Sequence, residues 1–127
     1  MNAHLDSILV GRYPKIFKDV DQNVFVKTWG IECGDGWFWL LSNLFDTIQV
    51  RINLNKGVEQ VVAKKISTHL GGLVFEYTGG DDIIKGMVEL SEHMSYHICE
   101  NCGSTEDIVQ TKGWIKCLCR DCFHRGD

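Results

Sequence analysis

Two cysteine pairs near the C-terminus carry the strongest chemical signal in this chain of 127 residues. Cys99 and Cys102 form one C-x2-C, Cys119 and Cys122 form another, and sixteen residues separate the pairs. Each two-residue gap lets one tight turn aim both sulfurs at a single point, and four thiolates meeting there make the tetrahedral set that zinc takes. Four protein sulfurs fill the shell and leave no position for water, so the zinc this spacing implies is structural rather than catalytic. Gly103 directly follows Cys102 and tolerates the positive φ that such a knuckle requires. Cys117 lies two residues before Cys119, and His97 and His124 flank the pairs, so one ligand could be exchanged. Spacing favours Cys117 as a packing thiol, because pairing it with Cys122 demands a wider turn. His93 and His97 stand at i and i+4 without a carboxylate at matching spacing, the pattern of ordinary helix-surface histidines.

The segment 29–37, WGIECGDGW, is the second candidate: Trp29 and Trp37 frame Glu32, Cys33 and Asp35, with glycines that permit sharp turns. It has the look of an active-site loop. A cysteine nucleophile needs a base or a lowered pKa, and the closest help would be His69 brought in by the fold. The alternative is a buried thiol beside a helix cap. The segment 79–82, Gly-Gly-Asp-Asp, could pass for a phosphate cradle, but two acids repel phosphate where the helix dipole would attract it, so it reads as a turn and a cap.

Composition limits what these residues can serve. The chain is 44% hydrophobic with one proline and a formal net charge of −4, and four thiolates around one divalent ion bring it to about −6. A surface of that sign does not draw in phosphate backbones non-specifically. Concentrated positive charge is confined to Lys64 and Lys65, and to Lys112, Lys116, Arg120 and Arg125 around the cysteines. No run approaches the ~20 apolar residues of a membrane span. Met1 to Val10 lacks a basic start followed by an apolar stretch, so the expected location is the cytosol, where paired thiols serve metals more often than disulfides.

The elements that must position these groups follow from periodicity and punctuation. Residues 5–17 suggest a brief helix and then an extended stretch past Gly11 and Pro14. After Gly34-Asp35-Gly36, with Asp35 as a cap, a core helix is expected over about 37–53 with Trp37, Leu40, Leu41, Leu44, Phe45, Ile48 and Ile52 on one face. Trp39 and Val50 project from the other side, to be covered by the N-terminal segment or left as a patch for a partner. Residues 58–66 lean towards a strand, and 73–77 alternate between glycine pairs, together giving a hairpin. Asp81 or Asp82 caps a second helix to about His97 with a buried stripe of Ile83, Met87, Leu90 and Met94. A short strand over 113–118, carrying Trp114 and Ile115, returns to the second cysteine pair.

The predicted fold is α+β, with amphipathic helices packed on a small antiparallel hairpin and a C-terminal zinc-ribbon-like element. One domain over 1–127 is expected, with the core in 1–98 and the metal-binding element in 99–124 docked on it. The motifs WGIECGDGW, GGLVFEYTGG, CENCG, the later Gly-Trp and the CxDC ending together resemble a family of small, mostly uncharacterised bacteriophage and prophage proteins, over residues 12–123. Members carry a lysine-rich stretch and an aromatic before the double glycine, where KKISTHLGG stands here. The resemblance implies a phage-related origin and the cytosol of a bacterial host, and it brings no activity with it.

Three functions fit these residues. The first is a zinc-stabilised binding protein, possible as a modulator of host machinery or defence, that engages a host or phage macromolecule through Trp39 and the ribbon surface, acting as monomer or homodimer. The acidic balance favours a protein target. The second is a nucleic-acid-binding zinc ribbon using Lys112, Lys116, Arg120 and Arg125. The third is a small enzyme using Glu32, Cys33 and Asp35.

Overall fold

A computed structural model describes residues 1–19 and 30–125. Its elements are α1 (Ala3–Arg12), a 3-10 turn (Asp35–Trp37), α2 (Phe38–Leu54), β1 (Glu59–His69), β2 (Gly72–Gly80), α3 (Asp82–Ser95), β3 (Ile108–Gln110), β4 (Cys117–Cys119) and α4 (Arg120–His124). The architecture is α+β: two antiparallel hairpins, β1–β2 and β3–β4, with α2 and α3 packed on the larger and α4 on the smaller. Among the described residues no helix is long and apolar enough to cross a membrane. Trp29, one of the two tryptophans framing the glycine-rich loop, lies outside the described residues.

The core forms where α2 lies against the hairpin. Leu40, Leu41, Leu44, Phe45 and Ile48 are its buried stripe, as their spacing predicts. Phe45 sits at the centre, with Phe17, Phe75 and Tyr13 meeting its ring edge-on at centroid distances of 5.2, 5.5 and 5.9 Å. Such edge-on pairs add about 0.5–1.5 kcal/mol each beyond burial. After α1 the chain turns over Pro14–Asp19 instead of extending. Phe17 N–H bonds to Tyr13 O at 3.1 Å, and this fold-back delivers Ile16 and Phe17 to the core. The N-terminal segment therefore covers the Phe45 side of α2, and Trp39 (67% exposed) and Val50 (48%) are left open.

A two-stranded sheet has two open edges that must be satisfied or hidden. Along β1, Ile16 O accepts from Ala63 N–H and Ile66 O accepts from Glu32 N–H, both at 2.8 Å. Along β2 the partner is α3: Ser95 Oγ accepts from Leu73 N–H at 2.9 Å, and a Glu92 carboxylate oxygen accepts from Phe75 N–H at 3.0 Å. This corrects the expected stripe. The face of α3 turned inward is Ile84, Val88, Ser91 and Ser95, while Ile83, Leu90 and Met94 are exposed and Met87 is half-buried. A helix covering a strand edge must bring acceptors and small side chains to it, and hydrophobic periodicity does not register that need.

Asp81 caps α3 as anticipated, accepting from Ile84 N–H at 3.0 Å, and its other contacts are with Arg51 of α2 at 2.7–3.3 Å. Gly79 and Gly80 both carry positive φ ahead of it. Of the strand expected over 113–118 only the end forms, as Cys117 and Leu118 of β4; residues 112–115, with Trp114, are a turn. That turn joins β3 to β4, with Ile108 opposite Cys119 and Gln110 opposite Cys117.

Candidate metal centre

Cys99, Cys102, Cys119 and Cys122 converge: their four sulfurs lie within 4.8 Å of one another. Cys102 and Cys119 are 3.7 Å apart, against an edge of ~3.8 Å for a tetrahedron with metal–sulfur bonds of ~2.3 Å. The donors thus fit a thiophilic dication in both chemistry and spacing. Cys99, Cys119 and Cys122 are buried, and Cys102 faces solvent.

Local structure shapes each half. In the first knuckle Gly103 N–H bonds to Cys99 O at 2.9 Å and Cys99 N–H bonds to Ser104 O at 2.7 Å, with Gly103 at φ +86 as its position predicts. In the second, Cys119 ends β4 and is the N-cap of the short helix α4, its sulfur accepting from Cys122 N–H at 3.5 Å. Asn101 Nδ2 donates to Cys122 Sγ at 3.3 Å, so the first turn also braces a sulfur of the second.

The thiols' acidities reflect this crowding. Burial opposes ionisation of Cys99, yet backbone N–H groups of Cys119, Cys102 and Asn101 aimed at its sulfur bring it down to about 7. At Cys102 a backbone hydrogen bond from Ser104 works downward, but burial and the three neighbouring thiols push it up to about 12. Four sulfurs this close do not all ionise without a cation among them.

The other candidate ligands stand apart. Cys117 is fully buried behind the cluster, with Gln110 Nε2 4.0 Å from its sulfur and its pKa raised first by burial, which makes it a packing thiol. The His93 and His97 rings lie 5.4 Å apart, the first on α3 and the second just past its end, both exposed, and among the described residues no third donor joins them. His124 is exposed on α4.

The glycine-rich loop turns out to serve this centre. Gly34 N–H donates to the Glu100 carboxylate at 2.8 Å, Gly36 N–H donates to Glu100 O at 2.7 Å, and the Trp37 indole N–H donates to Ile98 O at 3.0 Å. Glu100 N–H in turn bonds to Cys117 O at 2.9 Å, tying the first knuckle to β4. A Cβ on Gly34 or Gly36 would come within 3.0 Å of the carbonyl oxygens of Glu100 or Cys99. Loop and knuckle pack backbone to backbone, and only glycine allows that approach.

The same geometry disperses Glu32, Cys33 and Asp35. Glu32 faces solvent, and Asp35 does not cap α2 but accepts from Asn2 N–H at 2.7 Å and Asn2 Nδ2 at 2.9 Å. Cys33 is buried, which pushes its thiol up to about 12. His69 is at the hairpin turn beside Trp114. Iodoacetamide at pH 8 should therefore leave Cys33 unmodified in the folded protein, as read by mass spectrometry of its peptide; rapid labelling there would reopen the nucleophile. The raised pKa also means that the unfolded chain loses this proton first, so stability from this group falls as pH climbs from 9.0 towards 12.

The four basic residues split into two groups. Lys112 and Lys116 belong to the β3–β4 turn, whereas Arg120 and Arg125 line a polar hollow beside Cys102 with Glu106, Asp107 and Asp121. Lys64 pairs with Asp19 at 2.5 Å. Trp39 lines a mainly apolar groove of about 420 Å3 that runs from Leu5 and Phe38 to Ile98 and Gly103 of the first knuckle. Sequence reasoning missed Glu100 and the exposed Trp114; a carboxylate inside a C-x2-C and a tryptophan directly after a turn glycine were the available signals. Comparison with protein-family models, with curated proteins and with solved structures finds no match.

Proposed function

We propose that the protein is a zinc-stabilised binding module of phage or prophage type that engages a host or phage protein in the bacterial cytosol. The observation that carries this reading is the closed set of four sulfurs fixed to a rigid seat, with Trp39 held exposed on the rim of the adjacent groove. A filled thiolate shell has no open coordination position for substrate, so its contribution is shape. Exposed aromatics on a fixed scaffold are the typical anchors of protein interfaces. Arg120 and Arg125 share their hollow with Glu106, Asp107 and Asp121, and that negative charge weakens the nucleic-acid alternative because it opposes a phosphate backbone there.

Affinity capture from expressing bacteria tests the reading. A specific protein should co-purify, remain bound with Cys33→Ser, and be lost or reduced about tenfold with Trp39→Ala or Trp114→Ala if those indoles anchor it. Capture of nothing above background, or of nucleic acid released by moderate salt, would count against it.

A further inference from the structure

Among the described residues Trp114 is the most exposed of the large hydrophobic side chains, at 79%, and Leu70 stands at 61%. They belong to different hairpins, yet both line one groove of about 190 Å3 with Thr68, His69, Gly113 and Ile115. A parallel bridge between Gly71 and Lys116 joins the two turns there. Gly71 has φ +87, and a Cβ on it would come 3.1 Å from the Ile115 side chain, so the turns are in close contact.

This tip is built rather than incidental. Leu70 adopts φ +51, a left-handed conformation that is unfavourable for a non-glycine residue, and its mostly exposed side chain recovers little by burial. On the other turn Thr111 Oγ1 donates to Trp114 O and accepts from Lys116 N–H, both at 2.8 Å, while Thr111 N–H bonds to Lys116 O at 3.0 Å. The backbone carrying the indole is thereby fixed before any partner arrives, which lowers the ordering cost of binding.

Charge narrows the partner. Residues 68–72 and 110–116 include His69, Lys112 and Lys116 and no aspartate or glutamate, on a chain whose net charge is −4. Two lysines match a pair of carboxylates well. On a phosphate backbone they would neutralise only about two charges, a log–log salt slope of about −2, against the repulsion of the rest of the molecule. The groove is also smaller than the ~300–1,000 Å3 of ordinary small-molecule pockets and suits a single side chain.

We propose that this tip docks an acidic peptide segment of a protein partner, with one large apolar side chain seated between Leu70 and Trp114 and flanking carboxylates on Lys112 and Lys116. The inference rests on the protein-binding function and adds the chemistry of the partner. Panning a random-peptide display library on the zinc-loaded full chain tests it. Enriched peptides should carry one leucine, isoleucine or aromatic flanked by aspartate and glutamate. A synthetic copy of the strongest should shift the Trp114 indole N–H resonance, and should bind about tenfold or more weakly to Trp114→Ala and to the Lys112→Glu/Lys116→Glu double variant, with little change for Trp39→Ala. Because these side chains are exposed or half-exposed, the variants should keep the parent's melting temperature. Peptides that bind Trp114→Ala equally well and fail on Trp39→Ala would overturn the tip while leaving a protein-binding module in place. No enrichment at any surface would overturn both. Tighter, steeply salt-dependent binding of an oligo-dT probe at Trp114 would assign the tip to nucleic acid instead.

Discussion

Removing the metal should lower the melting temperature by roughly 12–20 °C. A ligand present at a thousand times its Kd stabilises the folded state by about 4.1 kcal/mol, and a domain of this size loses roughly 3–5 °C per kcal/mol. The α2–hairpin core carries its own buried residues from Leu9 to Ile98, so it should persist while the region from Cys99 onward loosens. Trp37 is the reporter. It is fully buried and donates to Ile98 O, the residue before the first ligand, whereas Trp39 and Trp114 are already exposed. Chelation should therefore move the tryptophan emission to longer wavelength chiefly through Trp37, and Trp37→Phe should remove most of the shift. Elemental analysis should give one zinc per chain, and cobalt substitution should produce the intense thiolate-to-cobalt absorption of a four-sulfur site. Iron at that stoichiometry would keep the site and change its metal. A metal-free preparation with an unchanged melting temperature and emission would show that the sulfurs assemble without an ion.

Much of this molecule was legible in its sequence because the relevant signals are local. The cysteine spacing, the helical stripe from Leu40 to Ile48, the Asp81 cap and the alternation in β2 each depend on residues a few positions apart. What could not be read depends on contacts across the chain. Which face of α3 turns inward is decided by the open N–H groups of Leu73 and Phe75, which need Ser95 and Glu92 opposite them. The glycines of the WGIECGDGW loop announce a sharp turn or a close approach equally well. Only their distance to Glu100 and Cys99, more than sixty residues away, reveals that they receive the first cysteine knuckle. Buried Cys33 and fully buried Cys117 show the same limit from another side. Thiols look chemically alike in a sequence, and the convergence of four sulfurs within 4.8 Å of one another, not burial, sets the candidate ligands apart from the packing thiols.

The second large effect is expected from a single methyl group. Gly36→Ala should destabilise the metal-loaded protein by about 3 kcal/mol or more, at the upper end for overpacking, because the atoms in the way cannot rotate aside. A Cβ there would sit within 3.0 Å of Cys99 O, Gly103 N and the Glu100 carbonyl carbon, all of them backbone atoms of the first knuckle. Accommodating it means lifting the loop from the knuckle, which also breaks the 2.7 Å bond from Gly36 N–H to Glu100 O. Displacement of that turn moves Cys99 and Cys102 together, so zinc affinity measured by competition with a chromophoric chelator should fall at least about tenfold, the usual penalty for disturbing groups that orient metal ligands. The comparison that isolates the cause is Gly86→Ala. Gly86 lies inside α3 with nothing within 4 Å of its would-be Cβ, so the same methyl should stabilise the helix by roughly 0.5–1 kcal/mol. Opposite signs for one chemical change would trace the Gly36 penalty to the contact between loop and knuckle. A Gly36→Ala protein that melts with the parent and holds zinc as tightly would mean that the loop does not seat the metal centre.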